Sequence, residues 1–244
     1  ILNRCWFSDR VVRVRQKYNL SIDRREADAL ERVLASCTST TLISDGTSVA
    51  ERIDLDGRLD ALPAEVAQWD DNKADEMLLS GVEGVFLMQQ GKGRSWQRQQ
   101  ISNNPTGEVR QGRGAGGANF VTAIEPMHGS QLSIYTKNSD ETKWSRNIID
   151  DTLDQGHALA TGDFMGTGAD QIVAGWRGTR RTGKVGVKFY YPTNKARTKW
   201  KSMLVDDNQM ATEDIRVADL NADGKLDIIA AGRASNNLKI YFNE

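Results

Sequence analysis

The amino-acid sequence predicts a mainly β protein, a partial β-propeller of about three and a half four-stranded blades preceded by a short α-helical hairpin. Three observations support this fold class. Short apolar runs recur along the chain, and each is followed by a strand of alternating apolar and polar residues. Tryptophans at positions 96, 144 and 200 lead further strands, a spacing that fits four-stranded blades. The composition, 22 Gly against 4 Pro with 6 Trp, is typical of a turn-rich β protein.

Four copies of the repeat are visible from Asp75 onward. Each opens on a buried-strand core that we expect to lie near the propeller axis. The cores are Glu76–Gly81, Asn119–Glu125, Gln171–Trp176 and Asp227–Gly232. The Trp-led strand follows in the first three copies and not in the fourth. Three explanations remain open: a fragment of a longer propeller, which we favour, an open arc with exposed edges, or completion by another chain.

Charge and hydropathy exclude two classes of partner. The 32 Lys and Arg residues balance 33 Asp and Glu residues, which leaves a formal net charge of −1. No strong field is therefore present to attract nucleic acid or an anionic membrane. The mean hydropathy is −0.54, and no apolar run approaches the length of a membrane span. We expect no nucleic-acid partner and no membrane span.

Residues 1–38 form the predicted helical hairpin. Trp6, Val11 and Val14 follow helical spacing, and a second apolar stripe follows a capping box that begins at Asp23. Antiparallel packing brings Cys5 and Cys37 to the same end of the hairpin. Either a disulfide or two small buried side chains is consistent with that placement.

The stretch from residue 3 to residue 37 resembles the tail of secreted bacterial nucleases of the HNH kind. That chemistry needs a histidine base, and no histidine precedes His128. The resemblance therefore brings no catalytic core, and we predict no nuclease activity. Residues 39–72 are polar and are predicted to be a linker, with a short helix within ALPAEVAQWDDN. The propeller domain is predicted to cover residues 73–244.

An acidic loop at Asp219–Asp227 predicts a structural calcium site. Its sequence DLNADGKLD places oxygen donors at alternate positions, with Gly224 where the chain must turn sharply. The candidate ligands are Asp219, Asn221, Asp223, the Lys225 carbonyl and Asp227. The corresponding loop Asp163–Gln171 keeps Asp163 and Gly168, but Met165, Thr167 and Gln171 replace the oxygen-rich ligands. We expect calcium in the first of these loops and none in the second.

A calcium loop that enters the inner strand of a blade resembles the FG-GAP or VCBS repeat family of extracellular propellers. The resemblance covers residues from Asp75 onward and rests above all on Asp219–Asp227. It implies a repeat protein of bacterial type that is stabilised by calcium. It also implies an extracellular or periplasmic location, although the sequence shows no signal peptide.

Loops that enter and leave the inner strands should gather at the propeller axis and form a ligand-binding mouth. The candidate catalytic residues there are His128, His157 and Glu125, and the two histidines are also candidates for a second divalent metal. The candidate ligand-binding residues are Trp176 as a stacking surface and Arg177, Arg233 and Arg113 as partners of oxygen atoms, with Arg110 nearby. The alternative is that the histidines are ordinary loop residues and that Trp176 is part of blade packing.

Two pairs of sequence segments, GHALATGDF…QIVAGWR and VADLNADGKLDIIAAG…NLKIY, resemble the propeller of aldos-2-ulose dehydratase-like proteins. In that family a propeller joined to cupin domains acts on oxidised sugars with metal assistance. No cupin pattern occurs here, so the sequence favours a calcium-stabilised module that binds or scaffolds a carbohydrate or protein ligand. The alternative is a metal-assisted sugar lyase, that is, a carbon–oxygen lyase.

Overall fold

A computed structural model describes residues 64–70, 72, 74–91, 95–138 and 143–244. Apolar alternation along these residues produces strands, and the tight turns between them produce antiparallel sheets. The strands in chain order are β1 (Ala64–Ala67), β2 (Glu76–Gly81), β3 (Gly84–Gln90), β4 (Trp96–Ser102), β5 (Val109–Arg113), β6 (Asn119–Glu125), β7 (Gln131–Lys137), β8 (Trp144–Asp150), β9 (Gly156–Gly162), β10 (Gln171–Trp176), β11 (Gly186–Pro192), β12 (Trp200–Asp207), β13 (Asp214–Ala218), β14 (Asp227–Gly232) and β15 (Asn237–Tyr241).

The strands form four separate sheets, in each of which chain neighbours are also sheet neighbours. The orders are β1-β2-β3-β4, β5-β6-β7-β8, β9-β10-β11-β12 and β13-β14-β15, named here blades 1 to 4. Every pairing is antiparallel. The arrangement is mainly β and propeller-like, as the repeat predicted. Blade 4 contains three described strands, which agrees with the missing Trp-led strand.

The first strand of each blade is the innermost one. Adjacent blades meet along these strands, since β1 contacts β5, β5 contacts β9 and β9 contacts β13. Burial raises the pKa of Glu65 on β1, and the nearby charges of Arg110 on β5 and Arg216 on β13 partly oppose that rise. Charges from the first strands of blades 2 and 4 therefore both act on Glu65.

Two expectations about strand placement were wrong. The four buried cores, predicted to line the axis, are the second strands β2, β6, β10 and β14, and each pairs with an inner strand that precedes it. Residues 64–67, within the predicted linker and its short helix, instead form β1, because they pair with Met77 and its neighbours on β2. The predicted hairpin at 1–38, with Cys5 and Cys37, lies outside the described residues.

Equivalent side chains fill the space between successive blades. At each boundary the third and fourth strands of one blade each contribute an aliphatic or aromatic side chain. The next blade contributes an aliphatic side chain from its second strand and a tyrosine from its third strand. Between blades 1 and 2 these are Leu87, Ile101, Val121 and Tyr135; between blades 2 and 3, Ile134, Ile149, Ile172 and Tyr190; between blades 3 and 4, Phe189, Val205, Ile228 and Tyr241. Burial of these side chains is the main stabilisation that joins the blades.

A polar contact repeats beside each of these apolar cores. The last part of a fourth strand presents Asp150 or Asp206, which accepts hydrogen bonds from a lysine and a tyrosine of the next blade. Lys188 Nζ and Tyr190 Oη lie 2.8 and 2.7 Å from Asp150, and Lys239 Nζ and Tyr241 Oη each lie 2.8 Å from Asp206. At the first boundary Ser102 replaces the aspartate and lies 2.8 Å from Tyr135.

Candidate functional site

The antiparallel strands sort the loops onto two ends of the propeller. The loops that follow the second strands, at 126–130, 177–185 and 233–236, lie at one end, named here the histidine end. The loops between first and second strands, including 163–170 and 219–226, lie at the other, named here the acidic-loop end. The predicted mouth and the predicted calcium loop are therefore on opposite ends of the molecule.

His128 and His157 come together at the histidine end, as the sequence predicted. Their rings are stacked, with centroids 4.7 Å apart and planes inclined by 14°. A backbone hydrogen bond of 2.9 Å from Gly156 to Gly129 holds the loop of His128 against the start of β9, where His157 lies. His128 itself adopts a left-handed backbone conformation, with φ of 54°.

Glu213 is the centre of the histidine end, and the sequence analysis did not identify it. Its side chain lies 2.5 Å from Arg177 and 3.2 Å from Arg233. His157 Nδ1 is 2.9 Å from the Glu213 carbonyl oxygen, and Nε2 is 3.6 Å from its carboxylate. Glu213 precedes β13 and has no repeat partner in the sequence, so no pattern singled it out. Arg177 and Arg233 are 36 and 20 residues away from it along the chain, so its charge beside them is visible only in the folded structure.

The position of Glu213 is fixed by backbone bonds to two blades. Its N–H donates to Ala231 at the end of β14, and the N–H of the preceding Thr212 donates to Trp176 at the end of β10. Glu213 Oε1 is buried and accepts no hydrogen bond among the described residues, although Arg233 lies 3.2 Å away as an ion pair. Arg233 approaches outside hydrogen-bonding geometry, so one carboxylate oxygen retains acceptor capacity.

Burial shifts the protonation of two groups at this end. The pKa of His128 is lowered first by burial and then by the charges of His157 and Arg177, while Glu213 acts in the opposite direction. The pKa of Glu108 is raised by burial, against the opposing effect of Arg110. His128 is therefore neutral at neutral pH and offers a ring nitrogen rather than a positive charge.

Glu125 is not part of this cluster. Its carboxylate is buried and accepts hydrogen bonds from Ser133 at 2.9 Å, from Tyr135, and from Arg146 Nε at 2.9 Å. All three partners belong to blade 2. The structure therefore joins two of the three predicted catalytic side chains and engages the third in a separate ion pair.

Trp176 requires a correction. It was expected to be a stacking surface for a sugar, but its side chain is 5% exposed and belongs to the apolar core between blades 2 and 3. Its Nε1 donates to the Lys184 carbonyl at 2.8 Å, and Lys188 Nζ lies over the ring at 5.5 Å. Because so little of its ring is exposed, Trp176 is part of the blade packing, which was the alternative interpretation.

Arg113 also lies away from the predicted mouth. It ends β5 at the acidic-loop end, where its N–H donates to Asp170 at 2.7 Å. Arg110, three residues earlier on the same strand, forms ion pairs with Glu65 at 3.5 Å and Glu108 at 3.3 Å. Of the four predicted ligand-binding residues, only Arg177 and Arg233 lie beside the histidines.

The acidic loop at Asp219–Asp227 forms a turn whose carboxylates are organised by its own backbone. Asp219 accepts from the N–H groups of Asp223 at 3.2 Å and Gly224 at 2.9 Å. The Asn221 amide lies 3.0 Å from the Asp223 carboxylate. The Lys225 N–H and the Asn221 amide lower the pKa of Asp223. Asp227 is buried and accepts from the N–H groups at positions 220 and 243.

The loop at Asp163–Gln171 has the same backbone turn. Asp163 accepts from Thr167 at 2.8 Å and Gly168 at 2.7 Å, as Asp219 does at the two equivalent positions. Left-handed residues also correspond, with φ of 63° and 72° at residues 166 and 168 and of 61° and 84° at residues 222 and 224. The turn therefore forms with one aspartate alone, and the additional oxygens of the last loop are not required for its shape.

Buried polar residues at the start of the second strands tie three of these loops to their blades. Glu76, Gln171 and Asp227 each accept a hydrogen bond from a loop N–H group. Blade 2 has Phe120 at this position. Its ring fills the space beside Gly112, where an added Cβ atom would lie 2.0 Å from Phe120 Cζ. The Gly-rich loop of blade 2 is thus a different turn without acidic residues.

Comparison with models of known protein families gave no match, and a search of the curated proteins gave none either. Within the described ranges, no helix is long and apolar enough to cross a membrane. No group of three or more His, Cys, Asp or Glu side chains in those ranges is arranged to hold a metal ion. The stacked histidines present parallel ring planes, whereas one ion shared by two imidazoles lies in the plane of both.

Proposed function

We propose that this chain is a calcium-stabilised binding module of the β-propeller type whose histidine end binds an acidic carbohydrate. The observation that carries the proposal is the convergence of Arg177, Arg233 and His157 on the single carboxylate of Glu213. Arg233 is 78% exposed at its side chain, so its guanidinium is available to a ligand. Propeller ends of this kind are concave surfaces on which loops from several blades meet.

Charge favours an anionic ligand at this end. The loop after β10 carries Arg180 and Arg181, both exposed, beside Arg177. The Asp154 carboxylate accepts the N–H of Arg181, and its backbone carbonyl accepts the N–H of Gly178. The arginines at positions 177, 180, 181 and 233 outnumber the carboxylates of Asp154 and Glu213. Guanidinium groups bind carboxylates through two parallel hydrogen bonds. A uronic acid residue supplies one such carboxylate together with hydroxyl groups for the neutral ring of His128.

Calorimetric titration of the full chain with a short oligogalacturonate tests this proposal, with a neutral oligosaccharide of equal length as the comparison. We expect the acidic ligand alone to bind. Arg233→Ala should weaken binding at least about tenfold, since a charge-assisted hydrogen bond contributes about 1.5–3 kcal/mol. The matched control is Lys201→Ala, which removes an exposed cation from β12 on the outer edge of blade 3. Equal binding of the neutral ligand, or equal losses in the two variants, would contradict the proposal.

Calcium at Asp219–Asp227 is the second part of the proposal. Support comes from the turn, in which the Asp223 N–H donates to the side-chain oxygens of Asp219 and Asn221, and the Asn221 amide donates to the Asp223 carboxylate. Carboxylate, amide and backbone carbonyl oxygens are the ligands that calcium prefers. Asp219, Asn221, Asp223, the Lys225 carbonyl and Asp227 would hold the ion. Bound only by the native turn, it would stabilise blade 4.

The resemblance to FG-GAP or VCBS repeats supports placing this module outside the cytoplasm, in the extracellular space or the periplasm. The sugar lyase and the second metal at His128 and His157 stay predictions, and a shared metal would require the two rings to leave their stacked arrangement. The lyase would need a replacement for Glu125, whose carboxylate is bound within blade 2.

A further inference from the structure

The three boundaries between blades differ in one component. Where blades 1 and 2 meet, Trp144, the leading residue of β8, packs on Trp69 with ring centroids 5.6 Å apart. Where blades 2 and 3 meet, Trp200, the leading residue of β12, packs on Phe120 with centroids 6.4 Å apart. Each pair joins an aromatic ring of one blade to the Trp-led fourth strand of the next.

At the boundary of blades 3 and 4 the aromatic ring is present, and within the described residues its Trp partner is not. Phe164 lies in the equivalent core with Phe189, their centroids 5.5 Å apart and their planes at 89°. A cleft of about 520 Å³ opens beside them. Its lining includes Phe164, Phe189, Val205, Ile228 and Tyr241. These residues belong to the core of this boundary, and Trp144 and Trp200 pack against the corresponding cores of the other two boundaries.

The edge of the sheet next to this cleft is also unpaired in the described chain. In blades 1 to 3 the third strand pairs with a fourth strand, whereas β15 pairs with β14 alone. The leading Trp lies opposite the last residue of the third strand, as in the pairs Lys137↔Trp144 and Pro192↔Trp200. The equivalent position in blade 4 is Asn243, which lines the cleft.

We infer that this edge and cleft bind an extended polypeptide segment that begins with tryptophan and pairs antiparallel with β15. Its indole would occupy the cleft on Phe164, and its backbone would take the N–H and C=O groups on the free edge of β15. The two filled boundaries within the same molecule specify this occupant, because they show both the residue type and its register. Burial of an aromatic side chain and the backbone ladder would together supply the affinity.

A synthetic peptide with the sequence of Thr198–Asp207, which contains β12, is the probe for this site. The peptide carries fluorescein, and its anisotropy is followed as the full-length chain is added. We expect saturable binding, and the same peptide with Ala in place of Trp should bind at least about tenfold more weakly. Met165→Arg in the protein should weaken binding to a similar extent.

Met165 suits this test because it lines the cleft while its side chain is 55% exposed, so the fold should accept arginine there. The matched control is Met127→Arg at the histidine end, which should bind the peptide as wild type does. Binding that is unaffected by loss of the Trp, or by Met165→Arg, would overturn the inference. Absence of binding at about 1 mM peptide would overturn it too. A dimer of the chain alone that Met165→Arg dissociates would assign the edge to a second copy and refute the proposed occupant.

Discussion

The contact of Asp150 with Lys188 and Tyr190 should carry much of the polar stabilisation between blades 2 and 3. The Asp150 side chain is 7% exposed, and Lys188 is 22% exposed. Asp150→Asn keeps the size of the side chain but removes the charge that pairs with Lys188. Breaking a buried pair by removing one partner costs about 3–5 kcal/mol, and we expect about 3 kcal/mol here because Lys188 is partly hydrated.

Urea denaturation followed by tryptophan fluorescence at neutral pH measures this loss. The matched control is Asp207→Asn, which removes an ion pair of similar length to Lys184 in which both side chains are more than half exposed. That change should cost less than about 1 kcal/mol. Equal losses in the two variants, or a loss below about 1 kcal/mol for Asp150→Asn, would refute the view that the contact is a buried clamp.

Three further predictions concern acid, the burial of leucines at equivalent positions and the packing of Phe120 on Gly112. Acid should weaken the fold: burial opposes ionisation of Asp150 and Asp206, but hydrogen bonds from their lysine and tyrosine partners outweigh it and leave both pKa values lowered. Their contribution to the free energy of unfolding is therefore complete above the pKa of the unfolded state and is lost as pH falls through the pKa of the folded state. In urea denaturation at about pH 2, the wild type should no longer be more stable than Asp150→Asn. Leu132→Ala should cost about 2–5 kcal/mol, whereas Leu238→Ala at the equivalent position should cost far less, because Leu132 is fully buried and Leu238 is 63% exposed; equal urea midpoints would contradict this. Gly112→Ala should destabilise by about 1–3 kcal/mol, since its methyl group would meet the Phe120 ring; an unchanged melting temperature would show that the ring moves freely.

The sequence predicted the fold class because the residues that repeat from blade to blade are those that pack into the cores. Trp144 and Trp200 mark fourth strands, and the alternating runs that precede them mark third strands. The inner strands were less visible. β1 is only four residues long, and β5 carries Arg110, Gln111 and Arg113 in place of an apolar run. Such strands are held by their neighbours rather than by their own hydrophobic pattern.

The histidine end was predictable in part. His128 and His157 were placed together correctly because both flank strands whose ends meet near the axis. Glu213 was missed because its role depends on residues of blades 3 and 4 that approach it only in the folded chain. Trp176 was assigned to the mouth from its position at a strand end, but side chains alternate across a strand, and its ring points into the core.

Calcium binding tests the account most directly, because the last acidic loop is the feature that links the repeat to its proposed stabilisation. Calorimetric titration of the full chain, with melting temperatures recorded with and without chelator, measures it. We expect one site, a lower melting temperature in chelator, and loss of both effects in Asp223→Ala. The control Asp163→Ala removes the first aspartate of the matching turn in blade 3 and should leave calcium binding intact. A chain that binds no calcium, or equal binding by the Asp223→Ala variant, would contradict the account.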